Sequence, residues 1–311
     1  MNYDVVIIGA GPAGLTAGIY ARSKGMTTLL IDSKRVGGQL VSLYPEKGIH
    51  NYPGFESIQA RKLSDKLYAQ AESMGCEIRE NEKVEEINDG DQELIVVTEH
   101  AEYHTKSAII AIGMGSFKPK KMGCAGEEEL YGKGVSYILP AKEELVGKRV
   151  MMFGGGNSAI DMAMIATQVA DTTLVHRRAE FRADESTVKE LERSEVKTIM
   201  NANLKSINGT DRVESVTLVI GEEETTIPVD LVVINIGISA DLDDLKKWDI
   251  ELTEDGHVKV DPDMSTSRPG VFACGDAVSY DGKYKQITTA CGEATTATMM
   301  AYKFAKKPYW A

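Results

Sequence analysis

The sequence predicts an α/β fold of two parallel-sheet domains, the second inserted into the first. Three observations carry this. The turn Gly9-Ala10-Gly11-Pro12-Ala13-Gly14 follows an apolar run, residues 4–8 (DVVII). A second turn, Gly154-Gly155-Gly156-Asn157-Ser158-Ala159, follows the run 149–153. Two more runs, 108–119 (AIIAIGMGSFKP) and 231–241 (LVVINIGISAD), end in glycine and read as chain crossings between domains.

In chain order, 4–8 reads as a strand, 16–23 as a helix and 27–32 as a second strand, a β-turn-α-β unit. The pattern recurs as strand 149–153, helix 158–169 and strand 172–176. After the second crossing, 270–277 (GVFACGDA) reads as a strand ending in an acid, and 288–300 as a helix rich in small residues. The expected domains are 1–117 with 238–311, and 118–237. Both are Rossmann-like nucleotide-binding units.

Composition bounds the function. Apolar residues make up 42% and charged residues 26%, ordinary for a globular chain. No apolar run approaches the ~20 residues of a membrane span. The start Met1-Asn2-Tyr3-Asp4 leads directly into a strand, so no signal peptide and a cytoplasmic location are expected. A net charge of −12 argues against nucleic acid and anionic membranes as partners. Cys76, Cys124, Cys274 and Cys291 form no CxxC, which suits neither metal nor cluster ligation and gives no disulfide framework. They read as buried small apolar residues.

The glycine turns carry the chemistry. Gly9 permits the tight turn, Gly11 admits phosphates to the backbone and Gly14 lets helix and strand close up. A pyrophosphate then sits at the positive helix N-terminus. Asp32, at the end of the next strand, can accept both ribose hydroxyl hydrogens; the plainer alternative is a glycine turn with a solvated acid. In the second unit, Gly154, Gly156, Asn157, Ser158 and Ala159 form the turn, and the following strand ends in His176-Arg177-Arg178, with Arg182 beyond. Guanidinium groups bind a 2′-phosphate bidentately where a carboxylate would repel it, which favours NADPH over NADH. A solvated basic turn is the alternative. Gly275-Asp276 stands at a strand's carboxyl end, where it can reach a ligand or cap the next helix. Gln286-Ile287 opens the helix whose N-terminus could face a flavin ring. His50 and His104 read as ordinary loop or strand residues.

With these motifs assembled, the chain resembles the two-domain flavoprotein reductases of the thioredoxin reductase group. The resemblance rests on Gly9–Gly14, Gly37-Gly38-Gln39-Leu40, Gly113, Gly154–Ala159, His176–Ala183 and Gly270–Ala277. Thioredoxin reductases carry a redox CxxC after a Gly-Val-Ser-Tyr-like stretch. Here Gly134-Val135-Ser136-Tyr137 is followed by Ile138-Leu139-Pro140-Ala141. The ferredoxin–NADP reductases of the group lack that motif, and Leu43-Tyr44-Pro45-Glu46-Lys47 and Phe117-Lys118-Pro119 are similar to their flavin segment and hinge.

The resemblance implies that Asp32, Gln39, Tyr44, Val84, Phe117 and Asp276 contact FAD, with Tyr44 stacked on the isoalloxazine. It implies hydride transfer from NADPH to FAD, release of electrons to ferredoxin or flavodoxin, and a homodimer. Hydride transfer requires no acid–base residue, so none is nominated as catalytic. Two readings stay open beside it: a diaphorase, quinone reductase or oxidase with a small-molecule acceptor, and an NADPH-responsive flavoprotein that binds a partner without turnover. Lys118, Lys120 and Lys121, or Lys303, Lys306 and Lys307, are candidate docking clusters, or simply solvated lysines. The sequence stops at Pro308-Tyr309-Trp310-Ala311, short of the family's C-terminal extension. Tyr309 or Trp310 could cover the second flavin face in its place, or the tail could fray in solvent.

Overall fold

A computed structural model describes residues 2–43, 45–115, 118–239 and 243–307. Tyr44, Phe117, Tyr309 and Trp310, on which expectations above rest, lie outside the described residues. The chain divides into two compact units, Met1–Ser116 with Ala240–Ala311, and Phe117–Ser239.

The first unit is built on a five-stranded parallel sheet. Its order is Val271–Ala273, Ala108–Ile110, Val5–Ile8, Thr28–Ile31, Glu77–Arg79. The central strands are continuous apolar runs because both faces are covered; Val5, Val6 and Ile7 have no exposed surface. A four-stranded sheet of Asn2–Tyr3, Glu102–Thr105, Leu94–Thr98 and Val84–Asp89 adds a second layer. Two long helices, Pro12–Ser23 and Ile287–Lys306, pack side by side. Small residues let them approach: Ala13, Ala17 and Ala21 on one, and Ala290, Ala294, Ala297 and Ala301 on the other, are buried. The Thr298 hydroxyl donates to the Ala17 carbonyl at 3.4 Å, and the Cys291 thiol faces the Pro12 carbonyl at 3.9 Å. The helices therefore run parallel and open at the same end.

The second unit repeats the plan. Its parallel sheet runs Val135–Ser136, Leu231–Asn235, Arg149–Gly154, Asp171–Val175, Lys197–Ile199. An antiparallel meander of Ala202–Asn208, Ser215–Ile220 and Glu223–Pro228 follows. At the crossings, Lys118–Pro119 pairs antiparallel with Ile238–Ser239.

Three helix bounds differ from expectation. The first helix begins at Pro12 rather than residue 16, because proline's fixed φ suits the first helical position and its missing N–H costs nothing there. The second glycine turn's helix is Asn157–Ala166, shorter than 158–169. The last helix extends to Lys306 instead of residue 300, ending where Lys307 turns left-handed at φ 44°. No helix among the described residues is long and apolar enough to cross a membrane.

Candidate functional site

Each unit carries its own site at the carboxyl ends of its parallel strands. In the first, Gly9 turns at φ 104°, and a Cβ on Gly14 would lie 1.8 Å from the Gly9 carbonyl oxygen. Turn and helix can close only with glycine at both places. Gly11 differs: its Cβ would meet only the Gly38 Cα, at 3.9 Å, so this side of the turn is open to a ligand. No side chain caps the Pro12 helix or the Ile287 helix, and neither has an acid in its first turn. Two positive helix ends thus open at one place with no anion of their own.

Asp32 follows the strand Thr28–Ile31. Its carboxylate accepts the Ala10 N–H at 2.7 Å and the Lys34 N–H at 2.8 Å, which hold it over the glycine turn. Burial pushes its carboxyl up, against the pull of those two amides. Gln39 opens the short helix Gln39–Ser42 and donates through Nε2 to Asp276 at 3.1 Å. Gly275, at φ 77°, sits between the two long helices; its Cβ would lie 3.1 Å from that of Ala13 and 3.9 Å from that of Ala290. The structure therefore brings Gly9, Gly11, Pro12, Ala13, Gly14, Asp32, Gly38, Gln39, Gly275, Asp276, Gln286 and Ile287 into one region. Val84 is buried in the core at the start of Val84–Asp89.

Several residues here were not foreseen. Asn51 donates to the Gln286 side chain at 3.0 Å, fixing the N-cap of the Ile287 helix. Glu293, buried on that helix, accepts the Gly275 N–H at 2.8 Å and the Tyr280 hydroxyl at 2.6 Å, and pairs with the buried Lys283. Burial and the Glu293 carboxylate push Tyr280 up to about 12, so it remains a donor. The signal for Glu293 was available: it is the one charge in 288–300, a stretch otherwise made of small and apolar residues. Nothing local marks its partners.

In the second unit, a Cβ on Gly156 would meet nothing within 4 Å, and no side chain caps the Asn157 helix. Arg177, Arg178 and Arg182 are exposed, and none forms an ion pair among the described residues. Their loop is tied to the glycine turn twice. Arg182 donates its N–H to the Gly155 carbonyl at 2.6 Å, and Asn157 exchanges hydrogen bonds with Asp184, both at 2.8 Å. Ser158 and Ala159 lie in the helix's first turn. His176 does not join the arginines. It is buried beneath the turn, its Nδ1 donating to the Gly154 carbonyl at 2.9 Å and its ring stacked on Phe181. A Cβ on Gly155 would strike that ring at 2.1 Å. The residue just after the strand points inward, which the run of basic residues concealed.

The cysteines are free. Cys76 and Cys274 are buried as expected, whereas Cys124 and Cys291 are half-buried. Burial pushes Cys76 and Cys124 up to about 11 and raises Cys274 and Cys291 too, so all four stay thiols near neutrality. Ile138, in the cysteine-free stretch 138–141, is half-exposed. The lysine clusters are partly spoken for: Lys121 pairs with Glu128 at 2.6 Å and Lys306 with the buried Asp4 at 2.7 Å. His50 is exposed, and His104 pairs with Glu93 on a strand.

Residues 3–294 match the family model described as pyridine nucleotide-disulphide oxidoreductase. A ferredoxin–NADP reductase of Thermus thermophilus is 39% identical over 311 residues, covering 97% of this chain and 92% of that protein. One of Metallosphaera sedula is 39% identical over 314 residues, covering 97% and 93%. Among solved structures, Lactococcus lactis thioredoxin reductase superposes with a TM-score of 0.86 at 33% identity, over 98% of this chain and all of that one.

Proposed function

The chain belongs to the pyridine nucleotide-disulphide oxidoreductase family, and we propose that within it the protein passes electrons between NADPH and a one-electron carrier, ferredoxin or flavodoxin, through bound FAD. The observation that carries this is the pair of open glycine-turn helix ends, one attended by carboxylates and the other by exposed guanidiniums, in a chain with no dithiol at 138–141.

The first site suits FAD. The open side of Gly11 and the two uncapped helix ends would hold the diphosphate, Asp32 the adenosine ribose, and Asp276 with Gln39 the flavin side of the molecule. FAD would supply the exchange between a two-electron donor and a one-electron acceptor. In the second unit, the Asn157 helix end would hold the NADPH diphosphate, and Arg177, Arg178 and Arg182 its 2′-phosphate; His176 shapes the turn from below. Dithiol exchange has no place in this reading, because residues 138–141 carry no cysteine pair and burial keeps the four thiols protonated near neutrality. Free thiols also fit the reducing cytoplasm. A homodimer, implied by resemblance, predicts light scattering at twice 33.9 kDa; a monomer at micromolar concentration would count against it.

The deciding experiment is steady-state NADPH oxidation by the FAD-loaded protein with purified ferredoxin, flavodoxin and a quinone as separate acceptors. Rapid reduction of ferredoxin or flavodoxin is expected. Turnover with quinone alone would replace this reading with a small-molecule reductase, and FAD binding with no turnover would leave a binding protein.

Asp32 gives the site a pH signature. The ionised carboxylate can accept from both ribose hydroxyls, whereas the protonated form presents an O–H in place of one acceptor, and burial in the apoprotein favours that protonated form. FAD affinity is therefore full well above the raised Asp32 pKa and falls as pH drops through it, at a higher pH than an ordinary aspartate would give. Titrations of apoprotein with FAD across the acid range should show this fall, and Asp32→Asn should bind more weakly and lack it. An identical pH profile in the variant would reject the assignment.

A further inference from the structure

Lys283 and Glu293 form an ion pair whose side chains are only 6% and 5% exposed. Both partners grip one residue. Glu293 accepts the Gly275 N–H at 2.8 Å, and the Lys283 ammonium donates to the Gly275 carbonyl at 3.0 Å. Tyr280 donates to the same carboxylate oxygen of Glu293 that Lys283 meets. Gly275 holds a left-handed φ of 77°, and the residue it presents is Asp276, which in turn holds Gln39.

A buried ion pair is a costly way to stabilise a fold, because two charges must leave water, and apolar replacements of similar size often serve as well or better. A glycine is also the residue least able to fix its own backbone. A charged clamp on both polar groups of one glycine is well suited to setting where the next side chain stands. We propose that Lys283 and Glu293 are positioning residues that hold the Gly275-Asp276 turn in its FAD-binding geometry. This rests on the reading of the first unit as the FAD site. Neither side chain need touch the cofactor; each acts through Gly275.

The test uses the full-length protein stripped of FAD and titrated with FAD, following fluorescence quenching and the visible flavin band. Glu293→Gln, and Lys283→Met, are each expected to weaken FAD about tenfold or more, the size of a lost charge-assisted hydrogen bond, and to shift the flavin band. The double variant removes both charges. Positioning predicts that it regains apoprotein melting temperature over the single variants while FAD stays weak. Recovery of FAD affinity together with melting temperature would show that only charge balance matters and would overturn the proposal, as would wild-type affinity in either single variant. Should the neutral variants fail to fold, Lys283→Arg keeps the charge but moves the donor; weaker FAD at unchanged melting temperature supports the clamp, and unchanged affinity overturns it. If the unaltered apoprotein itself does not bind FAD, the FAD site is what fails.

Discussion

Changing Arg177 and Arg178 together to Ala is expected to weaken NADPH by about 2–4 kcal/mol, roughly 30- to 1,000-fold, and to leave NADH almost untouched. Both guanidiniums are exposed and lack ion-pair partners among the described residues, so no internal contact is lost with them. Their loop is anchored through backbone and Asn157 contacts that the substitutions leave in place. The loss should therefore sit in nucleotide binding rather than stability. It should also shrink with added salt, since exposed charges are screened. The measurement is the ratio of kcat/KM for NADPH over NADH in the FAD-loaded protein. Equal kinetics with the two nucleotides before mutation, or parallel losses after it, would refute the role.

How much of this was legible in the sequence follows from which interactions are local. The glycine turns could be read because a tight turn, a close approach and an apolar strand each leave a mark on adjacent residues. Asp32 and the arginines could be read because they stand at a fixed place after such a turn. The Gln39–Asp276 hydrogen bond spans 237 positions, and no property of either neighbourhood announces it. The same holds for Lys283, Tyr280 and Asn51, each of which acts through a segment folded against its own. His176 shows the opposite failure. Its sequence neighbours suggested a basic surface cluster, but the turn of the chain after the strand put its ring under Gly155 and left only the arginines outside. At the helix ends, proline and glycine in the first turn of Pro12–Ser23 disguised helix as loop, and lysines after Met300 disguised the continuation of the last one.

The second and third glycines of the first turn, Gly11 and Gly14, should fail in different ways when given a methyl group. In Gly14→Ala the new Cβ would lie 1.8 Å from the Gly9 carbonyl oxygen and 2.9 Å from its carbon, both backbone atoms at the end of a buried strand. Relief requires the Pro12 helix to move off the sheet, and with it the contact to the Ile287 helix. A loss of about 1–3 kcal/mol or more is expected, in the range of overpacked cores, read as a lower melting temperature of the apoprotein. In Gly11→Ala the backbone is already at φ −74°, which alanine adopts freely, and the methyl meets nothing nearer than 3.9 Å. Apoprotein stability should change by no more than about 0.5 kcal/mol. The methyl would nonetheless occupy the open side of the cradle, where a diphosphate has to approach the backbone, so FAD affinity should fall by about tenfold or more. NADPH binding, which depends on the other unit, should persist in Gly11→Ala as measured by titration of the apoprotein. Gly11→Ala that folds and retains FAD with wild-type affinity would mean that no phosphate comes to this turn.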